Sequence, residues 1–131
     1  MDEPAPLCGN ISYFRHARNI SLKSNYRIKV GAVLVIGKSI VKGCNLIKSH
    51  PTYANPNKHT KVSIHAEISC LLKSKEFNKV GSKIFVYRET KDGPAMARPC
   101  SKCMKELKSA GIKKIYFSIS DYPYYESEII N

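Results

Sequence analysis

The chain contains no tryptophan, and acids are scarce: 10 Asp/Glu stand against 22 Lys/Arg in 131 residues, a formal net charge of +12. No apolar run approaches the roughly 20 residues that a membrane-spanning helix needs. The opening Met1-Asp2-Glu3-Pro4 has no apolar signal core, so the expectation is a soluble, cytoplasmic protein with no membrane partner. Cysteine is too sparse, and odd in number at five, for a disulfide framework. Repeats, linkers and low-complexity segments are also missing, which predicts one domain over residues 1–131 with an irregular lead-in, 1–10, carrying Pro4, Pro6 and Gly9. A chain of this length buries a core without staples. A metal, if bound, is then free to serve chemistry.

The positive charge raises the local concentration of anions such as nucleotides or nucleic acids without choosing among them. Seventeen of the 22 basic residues are scattered lysines, and Lys102, Lys105 and Lys108 recur near one helix face. Such charge is ordinarily solvated surface.

Apolar spacing predicts a helix from Ile11 to about Lys23. Val30 to Ile36 is a continuous β-branched run, followed after Gly37-Lys38 by Ser39 to Asn45, which reads as a hairpin whose first strand is buried on both faces. Gly31 within it suits a close backbone approach. Residues 46–62 show no period and are expected to form a long functional loop. Ser63 then caps a helix with Ile64, Ile68, Leu71 and Leu72 inward, ending near Lys75. A strand at Ser82–Tyr87, a loop from Arg88 to Arg98, a helix opened by Pro99 and stopped at Gly111, and a strand at Ile115–Ile119 complete the order. That helix is expected to bury Cys100, Cys103, Met104 and Leu107, and the two strands to lie parallel. The fold class is α/β: a three-layer α/β/α domain with a mixed central sheet.

Two short stretches carry chemistry. His65-Ala66-Glu67 and Pro99-Cys100-Ser101-Lys102-Cys103 offer one imidazole and two thiols, three ligands for a tetrahedral zinc ion. A catalytic zinc site keeps three protein ligands and leaves the fourth position to water or hydroxide, whose pKa the ion lowers toward about 7. Glu67 is placed to move the protons. A capping box does not explain it, because the box requires the acid three residues after the cap and Ala66 stands there. Cys8, Cys44 and Cys70 read as buried thiols.

The paired motifs resemble those of the cytidine and deoxycytidylate deaminase superfamily, H-x-E with P-C-x-x-C. The resemblance extends over Val30-Gly31-Ala32-Val33, Gly43-x-Asn45, both motif helices and Gly111-Ile112-Lys113-Lys114-Ile115. It implies a cytidine deaminase-like fold, one catalytic zinc and hydrolytic loss of ammonia from a nucleobase. It also implies a homo-oligomer, Asn45 against the sugar or base edge, and backbone at Ala66 and Cys100 flanking the ring. A histidine as first ligand looks more like the deoxycytidylate, guanine and tRNA-adenosine branches than the small tetrameric cytidine deaminases. Leu46-Ile47-Lys48 departs from the Gly-containing turn usual after the asparagine of deoxycytidylate deaminases.

Substrate choice falls to other residues. His50 and Tyr53 are candidates to line the pocket, with His50 and His59 open between substrate contact, further ligand and surface. Arg88 and Arg98 bracket a loop, and either can bind a phosphate; Arg88 is preferred, against a salt bridge to Glu89 or Asp92. Asp121 and Tyr122, with Tyr124 and Tyr125, occupy the stretch where relatives place specificity residues, or cover the core edge. The leading expectation is deamination of a small cytosine nucleotide or nucleoside, deoxycytidylate first. The alternatives are action on polynucleotide (tRNA adenosine or single-stranded cytosine) or on guanine, and a zinc-stabilised binding module in which Cys44 or another side chain closes the site.

Overall fold

The computed structural model describes residues 12–51 and 59–131, with the backbone path alone for 48–51 and 59–63. Helix α1 (Ser12–Ser21) leads into β1 (Lys29–Ile36) and β2 (Ser39–Cys44), then β3 (Leu46–Pro51) and β4 (His59–Ile64). Helix α2 (Ala66–Lys73), β5 (Lys83–Thr90), β6 (Gly93–Ala95), α3 (Ser101–Ser109), β7 (Lys114–Ser118) and β8 (Tyr125–Ile129) follow. The main sheet runs β2-β1-β5-β7-β8, with β6 beside the far end of β5. Only β5 and β7 are parallel; β1 is antiparallel to both its neighbours, and β8 to β7.

Alternation along the central strands builds two cores, because successive side chains leave a strand on opposite faces. Val33, Val35, Phe85 and Tyr87 meet Phe14 and Ala17 of α1 on one face. Ala32, Leu34, Ile84, Val86, Ile115 and Phe117 meet Ala66, Cys70 and Leu107 of α2 and α3 on the other. The result is the expected three layers. Gly31 is what lets α1 sit down on β1: a Cβ there would lie 2.0 Å from the Ala17 carbonyl oxygen.

Several local expectations are corrected. Residues 46–62 are not one loop, since β3 and β4 pair antiparallel as a separate two-stranded ladder, Leu46 opposite Ile64 and His50 opposite Thr60. Ser63 lies in β4 rather than at the N-cap position; α2 begins at Ala66 with His65 as its N-cap. Its buried side chains are Ala66, Glu67, Ser69 and Cys70, while Ile68 and Leu71 are half-buried and Leu72 is 52% exposed. The reason is a close approach to β2, where a Cβ on Gly43 would lie 2.9 Å from Ser69 and 3.0 Å from the Ala66 carbonyl oxygen. Only the small-residue face of α2 fits there.

The loop expected from Arg88 to Arg98 is instead a continuation of β5 to Thr90, folded back as β6. Pro99 precedes the N-cap of α3, Cys100, rather than opening the helix, and Cys100 is exposed with Met104 half-buried. At the other end Gly111 (φ +90°) sits just past the C-cap Ala110, as a helix stop requires. The tail supplies β8, which its short Glu/Ile pattern did not announce.

Candidate active site

Two helix starts converge over the end of the sheet. His65 and Cys100 are the N-caps of α2 and α3, with nearly identical extended backbones (φ −70°, ψ 155° and φ −68°, ψ 167°) and no capping hydrogen bond from either side chain. Each side chain is therefore free to turn away from its helix. The His65 Nδ1 lies 3.2 Å from the Cys103 Sγ and 3.9 Å from the Cys100 Sγ. All three ligand atoms fall within 4.8 Å of one another.

A tetrahedral zinc with bonds of about 2.0 Å to nitrogen and 2.3 Å to sulfur spaces its N and S ligands about 3.6 Å apart and its sulfurs about 3.8 Å. The observed separations bracket the first value, and the donor set is that of a zinc site with one position left open. The residues fit the ion. Cys44 is buried elsewhere and is not part of the group, so no fourth protein ligand closes it among the described residues. The Cys103 thiol is pushed well up from its ordinary value, by burial first, then by the charge of Glu67 and the neighbouring Cys100 thiol. Metal uptake must displace that proton.

Glu67, in the first turn of α2, is 4% exposed. Burial raises its pKa, while a hydrogen bond from its own backbone N–H and the charge of His65 pull it back. A desolvated carboxyl holds its proton more readily than an exposed one, which suits a group that must both take and return protons. Cys70, one turn further on, is held by burial as a thiol with its pKa at about 12, its Sγ facing the carbonyls of Ala32 and Val41. It is core.

His65, Ala66, Glu67 and Cys100 line an open cavity of about 280 Å³, whose other walls are Asn45, Arg88 and Arg98 with Tyr26, Ile28, Val30, Met96 and Ala97. Asn45 is buried, but both ends of its amide hold the chain: Oδ1 accepts from the Val30 N–H (3.0 Å) and Nδ2 donates to the Ile28 carbonyl (2.6 Å). It braces the cavity wall and keeps one N–H for other use. Tyr26, Ile28 and Met96 were not singled out from the sequence. Tyr26 and Ile28 precede a strand, Met96 follows one, and no motif marks them.

Other expected substrate residues fall elsewhere. Asp121 and Tyr122 are exposed in the turn between β7 and β8, Tyr122 at 80%, packed edge-on to Tyr124 and outside the cavity lining. Tyr125 packs on Phe14, the core-edge alternative. His50 lies in β3 with its side chain outside the described residues, and Tyr53 is outside them altogether.

The chain matches the family model "Cytidine and deoxycytidylate deaminase zinc-binding region" over residues 10–119. A search of curated protein sequences returns no significant match. Among solved structures, the deoxycytidylate deaminase of cyanophage S-TIM5 is similar in its apo form at 30% identity, with TM-score 0.60 over 82% of this chain and 80% of that one. The same enzyme in complex with dCMP and dUMP aligns at 27% identity and TM-score 0.63, over 89% and 85%. The cytidine deaminase of Burkholderia pseudomallei shares the fold, with TM-score 0.65 over 91% of each chain at 18% identity. With its match running through both helix starts and the sheet that carries them, the chain belongs to the cytidine and deoxycytidylate deaminase family and is a zinc-dependent deaminase.

Proposed function

We propose that the chain hydrolyses the amino group of a small cytosine nucleotide or nucleoside, with deoxycytidylate as its substrate of choice. The observation that carries this is a buried acid, Glu67, beside a three-ligand metal group in a cavity sized for a base and part of its sugar. The likeness to a deoxycytidylate deaminase structure holding dCMP and dUMP supports the choice of base and sugar. Exposure of Tyr122 outside the cavity lining removes one of the residues that had favoured the polynucleotide alternative.

In this reading His65, Cys100 and Cys103 hold one zinc ion. Bound there, zinc supplies the Lewis acidity that makes water nucleophilic near neutral pH. Glu67 takes a proton from the water that adds to C4 of the ring and passes it to N3, then takes the proton of the C4 hydroxyl so formed and passes it to the amino group, which leaves as ammonia. The water oxygen remains as the carbonyl of uracil. Burial of Glu67 keeps bulk water from competing for those protons. Backbone at Ala66 and Cys100 flanks the ring, and Asn45, already braced, offers its remaining N–H to the sugar or base edge. The working form is an oligomer in the cytoplasm.

The test is a panel of nucleobases, nucleosides, nucleotides and oligonucleotides with zinc-loaded protein, followed by chromatography and ammonia release. Deoxycytidylate should be consumed fastest, with a uracil product. Absence of turnover on every cytosine compound overturns the proposal.

A further inference from the structure

Arg88 stands near the end of β5 on the wall of the same cavity, and its Nε is buried with no hydrogen-bond partner among the described residues. A buried guanidinium donor without a partner is costly, more so than a neutral one, and native structures rarely leave it so. Two acids of the same sheet are engaged by other arginines. Glu89 pairs with Arg18 of α1 (3.2 Å), and Glu128 takes Arg98 in a two-pronged contact at 2.6 and 3.0 Å. No acidic side chain pairs with Arg88 among the described residues.

The backbone that carries Arg88 is pinned. Its N–H donates to the Ser118 Oγ (3.0 Å), the same hydroxyl donates to the Ala95 carbonyl (2.7 Å), and the Ser118 carbonyl accepts from the Ala97 N–H (2.9 Å). Ser118 is fully buried and ties β5, β6 and the chain leading to α3 into one wall. The arginine is thus held on a rigid support, with its donor group unfilled.

The geometry points to Arg88 as the group that binds the phosphate of a nucleoside monophosphate, so that one chain reads both the reacting base and its anionic end. This rests on the deaminase reading given above. An anion fits better than a carbonyl or hydroxyl, because it also offsets a positive charge that no acid pairs with among the described residues; guanidinium and phosphate match in geometry as well. Arg98, on the rim of the same cavity, is already neutralised by Glu128 and serves as the internal comparison.

The experiment compares dCMP with deoxycytidine on zinc-loaded wild type, Arg88→Met and Arg88→Lys. Loss of charge-assisted hydrogen bonds predicts that Arg88→Met raises KM for dCMP about 10- to 100-fold with a much smaller change in kcat. The dCMP-to-deoxycytidine preference should collapse by about the same factor, and Arg88→Lys should keep part of it. Calorimetric titration of dUMP and deoxyuridine onto the Glu67→Gln background reads the same contact without turnover. Equal loss for nucleoside and nucleotide, or a preference unmoved by Arg88→Met, overturns the assignment. If no cytosine compound is turned over yet dUMP still binds more tightly than deoxyuridine in an Arg88-dependent way, the choice of reaction fails and the phosphate contact stands.

Discussion

The starts of α2 and α3 share one backbone geometry and differ in what they do with it. Both place a candidate metal ligand at the N-cap, where a serine or aspartate would normally satisfy the first free N–H groups. In α2 an acid stands in the first turn, its carboxylate takes a hydrogen bond from its own N–H, and Ala66 and Ser69 are buried against Gly43. In α3 the first turn holds no acid, and Cys103 is its buried member. In the proposed reaction the first helix positions the group that moves protons. The second offers two sulfurs at the positive end of a helix, where thiolates holding a metal would take the place of a cap.

That division predicts different failures. Removing a ligand should abolish both functions: Cys103→Ala should lose zinc, measured by elemental analysis, and with it all turnover. Glu67→Gln should keep the zinc and lower kcat by about 10²- to 10⁴-fold, the range for a positioned proton-transfer group. If Glu67→Gln were as active as wild type, α2 would be only a ligand carrier and the contrast would vanish. A smaller effect is expected from Gly43→Ala, which touches α2 alone. Its Cβ would meet Ser69 and the Ala66 carbonyl at 2.9 to 3.0 Å, so α2 must shift. Overpacking of this kind costs about 1–3 kcal/mol. Thermal unfolding should show that loss, and turnover should fall with zinc still bound, because Glu67 moves relative to the ligands.

The two starts also differ in how much the sequence disclosed. The ligand spacing and Glu67 are visible because the chemistry demands those residue types, and β1 is visible because burial on both faces leaves an uninterrupted apolar run. The buried face of α2 is not. Ile68, Leu71 and Leu72 look like core by hydrophobicity, yet clearance at Gly43 selects Ala66, Ser69 and Cys70. The β3–β4 ladder escaped for a related reason: its strands mix Lys48, Ser49, Thr60 and Lys61 with few apolar positions, so no alternation marks them. β8 carries Glu126 and Glu128 on an edge and depends on β7 for its shape. Arg88 was legible as a cation near the site. Its missing partner was not, because that depends on Glu89 and Glu128 being occupied by arginines 71 and 30 positions away.

The smallest expected effect separates the helix starts most directly. If His65 and Cys100 are N-caps that gave up capping for metal, then replacing either by serine restores a side-chain acceptor to an uncapped helix. In chelator, where no zinc contributes, Cys100→Ser should stabilise the protein, by about 1 kcal/mol on the scale of N-cap substitutions. His65→Ser should gain less, because Glu67 already occupies one of the first-turn donors of α2. Adding zinc should reverse the order. Wild type gains stability by ligand linkage, and each serine variant, short of a ligand, gains far less. Urea unfolding with and without zinc reads both signs. Equal gains at the two positions in chelator would mean that the acid does not distinguish the two starts. A loss at Cys100→Ser would mean that the free thiol already supports the helix without metal.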